Sequence, residues 1–152
     1  GYWLRKPGAN PDVVIAIGVL GPEAIAAAGR IGNDRSDVGV LAVTSSDRLN
    51  AGWSASRRAR RRGQPLARSH VDSLLDALPA HCPIITVCDG HPLTLAWLGA
   101  VAGHRVVPLG VEHFGQTGTI PDLYRHFGID ADAIVAAADA HSAGRPIKLS
   151  RA

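Results

Sequence analysis

A chain of 152 residues, 46% of them hydrophobic, is long enough for one domain with a core of its own and too short for two. That apolar content excludes disorder, and the shortness of the apolar runs excludes a membrane span: Val13 to Ile17 falls far below the ~20 residues a span needs. The net charge of +3 rests almost wholly on arginine, with five arginines packed into residues 57–62; outside that run acids and bases nearly cancel, so charge alone names no partner.

Val13-Val14-Ile15-Ala16-Ile17 is apolar without alternation, the pattern of a strand covered on both faces. A loop Gly18 to Gly21 follows, and Pro22 opens a helix in which Ala24, Ile25, Ala28 and Ile31 recur at helical spacing. Gly32-Asn33-Asp34 is expected to break it. Val38 to Thr44 is the next buried strand. Ser45-Ser46-Asp47 offers N-cap chemistry to a helix that carries Leu49, Trp53 and the arginine run. Ser69 caps a helix with Asp72 three residues on, close to a capping box, and Val71, Leu74, Leu75 and Leu78 make the cleanest amphipathic stripe in the chain. Ile84 to Cys88 supplies another strand.

Pro92 to Val101 is apolar on nearly every face and predicts one deeply buried helix, ended by Gly103. Arg105 to Val111 predicts a strand interrupted by Pro108, which cannot donate to a ladder and therefore belongs at an edge. Thr119 caps a short helix with Ile120, Leu123 and Phe127 facing inward and Gly128 at its end. Asp130 caps a last helix with Ala131, Ile134, Val135 and Ala138 on its core face. Tyr2 to Arg5 is a candidate extra strand. The alternation of strand and helix implies βαβ crossovers and an α/β fold, a mostly parallel sheet between two helical layers. Residues 1–142 read as one domain and 143–152 as a loose tail.

Two cysteines, Cys82 and Cys88, make no disulfide framework, and Cys88 reads as a small buried filler. No secretory pattern opens the sequence, so the expected location is cytoplasmic. The chain starts at Gly1 and contains no Met, which suits a piece of a longer polypeptide.

Five motifs bear on function. Gly18-Val19-Leu20-Gly21 has two glycines at the wrong spacing for a dinucleotide fingerprint and reads as a plain turn. Gly115-Gln116-Thr117-Gly118-Thr119 leads into a helix, where backbone N–H groups can meet an anion, although no Lys follows as in a phosphate loop. Cys88-Asp89-Gly90-His91 lies where open parallel sheets gather ligands; two ligand types are too few for zinc, and Asp89 is expected to cap the next helix. Glu112-His113-Phe114 puts an acid and an imidazole beside an aromatic, a pair able to exchange protons near neutral pH or, on burial preferences, a polar loop anchored by a buried Phe114. The arginine run lacks interleaved aromatics and reads as a solvated helix end, with nucleic acid disfavoured. There is no G-x-S-x-G elbow and no H-E-x-x-H.

From Asp89-Gly90-His91-Pro92-Leu93, through His104 to Gly115, to Leu123-Tyr124-Arg125-His126-Phe127-Gly128-Ile129-Asp130 and the Ala-rich helix after it, the sequence resembles the C-terminal domain of transketolase and its relatives. Val40 to Trp53, with Val43-Thr44-Ser45-Ser46-Asp47-Arg48-Leu49-Asn50, is most similar to the homodimeric pyruvate-dehydrogenase type. The resemblance spans residues 2 to 142. It implies a five-stranded mixed sheet whose one antiparallel strand is Tyr2 to Arg5, in the last of three α/β domains. It implies a parent enzyme that binds thiamine diphosphate and Mg²⁺ between its first two domains across a dimer interface, attacks a 2-oxo acid or ketose, and in the dehydrogenases hands the acyl unit to a lipoyl acyltransferase. The third domain would support dimerisation and contacts with partners: the other domains and a second subunit. The diphosphate motif of the family is Gly-Asp-Gly followed some thirty residues later by Asn. Here Asp89-Gly90 follows Cys88 and no Asn lies beyond Asn50, so no catalytic, cofactor or metal residue carries over. Glu112, His113, Phe114, Gly115, Gln116, Thr117, Gly118 and Thr119 are the candidate interface or anion contact. The rival expectation is a freestanding module that binds a small anion or nucleotide at Gly115 to Thr119.

Overall fold

In the computed structural model, which describes residues 1–34 and 37–141, five strands form one sheet in the order β1 (Tyr2–Arg5), β3 (Val38–Ala42), β2 (Val13–Ile17), β4 (Ile84–Val87), β5 (Val106–Leu109). Four of them run parallel, and β1 pairs antiparallel with β3, its register shifting between Trp3 and Arg5. The expected 143–152 tail lies outside the described residues.

Unbroken apolar runs make the central strands. β2, β3 and β4 are buried at every position, because each face of the sheet is roofed by helices. Val13, Ile15 and Ile17 face α1 (Gly21–Asp34) and α7 (Ala131–His141). Val14 and Ala16 face the opposite layer, built by α2 (Ser46–Arg61) and α3 (His70–Leu75) together with α4 (Leu93–Ala96) and α5 (Gly99–Ala102). Alternate side chains of one strand thus feed two separate cores. Each fully buried Ile or Leu contributes about 1.5–3 kcal/mol before entropy is subtracted.

Polar side chains tie the layers at their ends. The capping box at Ser69 forms as expected: Ser69 Oγ accepts from the Asp72 N–H, and the Asp72 carboxylate accepts from the Ser69 N–H at 2.6 Å. Burial works to raise the Asp72 carboxyl pKa. Hydrogen bonds from Ser69 and the Arg60 and Arg68 guanidinium groups outweigh it and hold the carboxyl below its ordinary value. Asp130 Oδ1 accepts from the Ala133 N–H, and Glu23 reaches across from α1 to accept from the Ala131 N–H at 2.8 Å, so α7 starts on two carboxylates.

Several sequence expectations need correction. Gly32-Asn33-Asp34 does not break α1, which runs on to Asp34; Gly32 leaves room for the Arg5 guanidinium, which a Cβ would meet at 2.8 Å. Ser45 sits at the N-cap of α2 without a side-chain capping bond. Its neighbour Ser46 is the hydroxyl used: Oγ accepts from Trp97 Nε1 and donates to the Thr94 carbonyl. The segment from Pro92 to Val101 is two short helices rather than one. Bonds reaching back three residues, as from Leu98 N–H to the Leu95 carbonyl, tighten the chain between them, and Gly99 is pressed so close to β5 that a Cβ would lie 2.6 Å from the His104 carbonyl oxygen. That segment is not deeply buried throughout, since Leu93 and Thr94 are exposed. β5 is an edge strand, as Pro108 predicts.

Candidate functional site

The parallel strands β2, β4 and β5 end level: Ile17 lies beside Val87 and Val87 beside Leu109. Their loops then interlock. Gly18 N–H donates to the Val87 carbonyl, Cys88 N–H to that of Leu109, and Val111 N–H to that of Gly90. Gly110 permits the last approach, because a Cβ there would sit 2.5 Å from the Gly90 oxygen and 2.7 Å from the Pro92 nitrogen. Beyond Val111 the chain leaves the sheet, and every residue from 112 to 120 is exposed.

Phe114 is therefore not a buried anchor. It is 95% exposed, on a loop that touches too little of the body to cover an aromatic ring. Gly115 follows at φ +106°, in the left-handed region that favours glycine, and turns the backbone back toward α6 (Ile120–His126). Ile120 also departs from expectation: it is 65% exposed because the first turn of α6 projects past the end of the sheet, and Ile129, beyond the helix, fills the core instead. Val19, in the loop after β2, and Leu93, at the start of α4 after β4, are exposed at the same end of the sheet.

Between the end of β5 and α6 lies an open cleft of about 330 Å³, lined by Pro108, Leu109, Glu112, His113, His126 and Phe127. His126 packs edge-on against Phe127 with ring centroids 4.9 Å apart. Glu112 and His113 share the cleft but form no hydrogen bond or ion pair among the described residues. The sequence reading missed His126 as a site residue; its signal was the Arg125-His126-Phe127-Gly128 run, noticed only as a family mark. It also missed Val19 and Leu93, whose signal was a large apolar residue within a few positions of a strand's end.

The Gly115–Thr119 turn meets a helix start that already holds a carboxylate. Thr119 Oγ donates to Asp122 Oδ2 at 2.6 Å and accepts from the Asp122 N–H, while Pro121 has no N–H to offer. In the Cys88–His91 loop the thiol donates to the Gly90 and His91 carbonyls, and burial pushes its pKa up, so it remains a protonated filler. Asp89 does not cap α4. The helix has Pro92 at its N-cap with no side-chain capping bond, and His91 Nδ1 accepts from the Leu93 N–H while Asp89 is exposed. Of the arginines, Arg57 stacks on Trp53 at 4.7 Å, Arg60 donates to the Ala67 carbonyl and lies 3.8 Å from Asp72, and Arg58, Arg61 and Arg62 project into solvent.

These features define a class: an open three-layer α/β domain with one antiparallel edge strand and an apolar, solvent-facing rim at the carboxyl ends of its strands. Residues 1–130 match the family model described as the transketolase-like TK C-terminal domain, and the chain belongs to that family. A solved structure, "Split gene transketolase, inactive beta4 tetramer", is similar over 90% of this chain with a TM-score of 0.58 and 19% sequence identity. The chain spans 40% of that protein's length. Among curated proteins, none matches.

The family's cofactor finds no fitting donor set here. Among the described residues no group of three or more His, Cys, Asp or Glu side chains has the arrangement to hold a metal, and the only Asp-Gly pair, Asp89-Gly90, lacks its preceding glycine. No helix among the described residues is long and apolar enough to cross a membrane.

Proposed function

We propose that this chain is the non-catalytic C-terminal assembly domain of a thiamine-diphosphate-dependent enzyme, and that the rim carrying Phe114 is its docking face. The observation that carries this reading is the Phe114 ring, 95% exposed beside a run of exposed residues, in a chain whose other aromatic rings are at least partly covered or lie elsewhere. An aromatic held in water gains most by entering a pocket on a partner. Glu112 and His113 would form the polar edge of that contact, with Gln116, Thr117 and Gly118 following the loop around it.

The parent enzyme would hold thiamine diphosphate and Mg²⁺ in its other domains. Its type would be pyruvate-dehydrogenase-like, on the similarity of Val40 to Trp53, or transketolase-like, on the family and the structural neighbour. The neighbour's description as a β4 tetramer supports self-association of such chains. Other domains of the parent, a second subunit and, for the dehydrogenase type, a lipoyl acyltransferase are the partners this reading supplies, in a cytoplasmic setting.

Calorimetry tests the first half. Titrating the full chain with thiamine diphosphate and Mg²⁺ should give no binding heat, and tight Mg²⁺-dependent binding would overturn the assignment. Sedimentation of the chain with the cofactor-binding polypeptide of the same enzyme tests the second. Phe114→Ala should weaken association by about tenfold or more, as loss of a central aromatic does; unchanged association would remove the rim from the interface. The rival anion module predicts a large thermal shift with phosphorylated ligands, whereas the Asp122 carboxylate at the helix start favours none.

A further inference from the structure

At the other end of the molecule the arginine run forms a surface that the assembly face does not explain. Arg57 and Arg61, one helical turn apart on α2, line an open cleft of about 370 Å³ whose floor is Trp53, Ala100 and Val101. No carboxylate lines it. A second cleft of about 300 Å³ adjoins it, sharing Arg60 and Val101 as a wall, and bears Leu66, 90% exposed, together with the carboxylates of Asp72 and Asp76. Arg60 and Arg68 are committed within the fold, to Asp72 and Asp76. Among the described residues Arg61 has no hydrogen-bond or ion-pair partner, and Arg57 has only the Trp53 face.

Basic side chains near a helix C-terminus complement its dipole, and one or two suffice for that. Five in six residues exceed it, in a chain whose net charge is only +3, so the field is concentrated at this one corner. Arginine, unlike lysine, presents a planar fork suited to carboxylates and oxyanions. Two observations separate the polyanions. The Trp53 ring is 7% exposed and covered by Arg57, so it offers no platform to a nucleic-acid base. The adjoining cleft sets an apolar knob at Leu66 beside Val101 and Pro65, with Asp72 and Asp76 already paired to Arg60 and Arg68, so it offers an aliphatic side chain a seat and a continuous phosphate chain no further free cation.

We infer that this double cleft docks an acidic peptide segment of a partner protein, with carboxylates on Arg57 and Arg61 and an aliphatic side chain against Leu66 and Val101. The surface is distinct from the Phe114 rim and its test does not depend on it.

Fluorescence anisotropy of the full chain with a labelled, flexible peptide repeating glutamate, leucine and glycine is the direct measurement. Binding at low salt should weaken about tenfold in the Arg57→Gln/Arg61→Gln double variant, as two charge-assisted contacts are lost. It should fall several-fold in Leu66→Ser, fade with added salt, and stay unchanged in Phe114→Ala. Arg61→Gln alone leaves the Arg57–Trp53 stack in place and carries the test should the double variant unfold. Three results would each overturn the inference: no binding of the peptide; equal loss in Arg58→Gln/Arg62→Gln, which would reduce the effect to net charge; or tighter binding of an RNA oligonucleotide or an all-glutamate peptide than of the leucine-bearing one.

Discussion

The two ends of the parallel strands have been given opposite chemistry. At the carboxyl end the segments after β2, β4 and β5 leave Val19, Leu93, Phe114 and Ile120 in water, with a small cleft of mixed polarity beside them. At the amino end, where α2 arrives and β5 begins, the exposed groups are arginines set around a nearly buried Trp53. The same sheet supports both, because its central strands β2, β3 and β4 are buried on both faces and stability is decided between the ends. What the difference teaches is that the rims of this fold are free to specialise: the apolar side chains of one stand clear of the core, while the other is wired into it through Asp72.

The largest expected effect strikes the layer beneath the arginine end. Leu74→Ala should cost about 2–5 kcal/mol in urea melts, as for a buried leucine whose cavity does not collapse. A loss below about 0.5 kcal/mol would show that the α3 stripe is not core. Next is Gly110→Ala, which drives a methyl into the Gly90 and Pro92 backbone and should cost about 1–3 kcal/mol by overpacking while disordering the Phe114 rim. Equal stability with intact assembly would mean that the rim loops move apart without penalty.

Acid should act mainly at the amino end. His104 is buried there, Nδ1 against the Cys82 carbonyl and Nε2 with no partner among the described residues, and burial holds its pKa below the ordinary imidazole value of about 6.5. The unfolded chain therefore takes up that proton first, so stability should fall as pH drops below about 6.5 toward the lower pKa of the folded form. His104→Gln should flatten this part of a pH-dependent melting profile; an unaltered profile would place the acid sensitivity elsewhere. Asp72 contributes in the same direction at lower pH. Its depressed pKa gives stability that is present above the ordinary carboxylate range and is lost as pH falls through the folded value. The smallest effect on folding belongs to Phe114→Ser, within about 0.5 kcal/mol of the parent chain, although the same change should impair assembly. A destabilisation of several kcal/mol would show that the ring packs onto the body after all.

Much of the fold was legible because it depends on local signals. The unbroken runs at Val13, Val38 and Ile84, the capping box at Ser69, and Pro108 in β5 each forecast their element from a few adjacent residues. The failures share a cause. Gly32 reads locally as a helix breaker, and only Arg5, far away in sequence, shows why a glycine is tolerated inside the helix. Phe114 was weighed as a buried anchor because aromatics usually find cover; its exposure depends on a loop that leaves the sheet after Val111. Of the candidate site, Glu112 to Thr119 is legible as a loop, while His126 joins it only because the end of α6 lies beside the end of β5.

Hydrophobic periodicity and turn chemistry were enough to specify an α/β domain with a mostly parallel sheet, since those patterns act within one or two turns of chain. Which side chains stand uncovered at each end was decided by tertiary packing. Exposure is a property of what the remaining elements fail to reach, and no window of sequence contains that information.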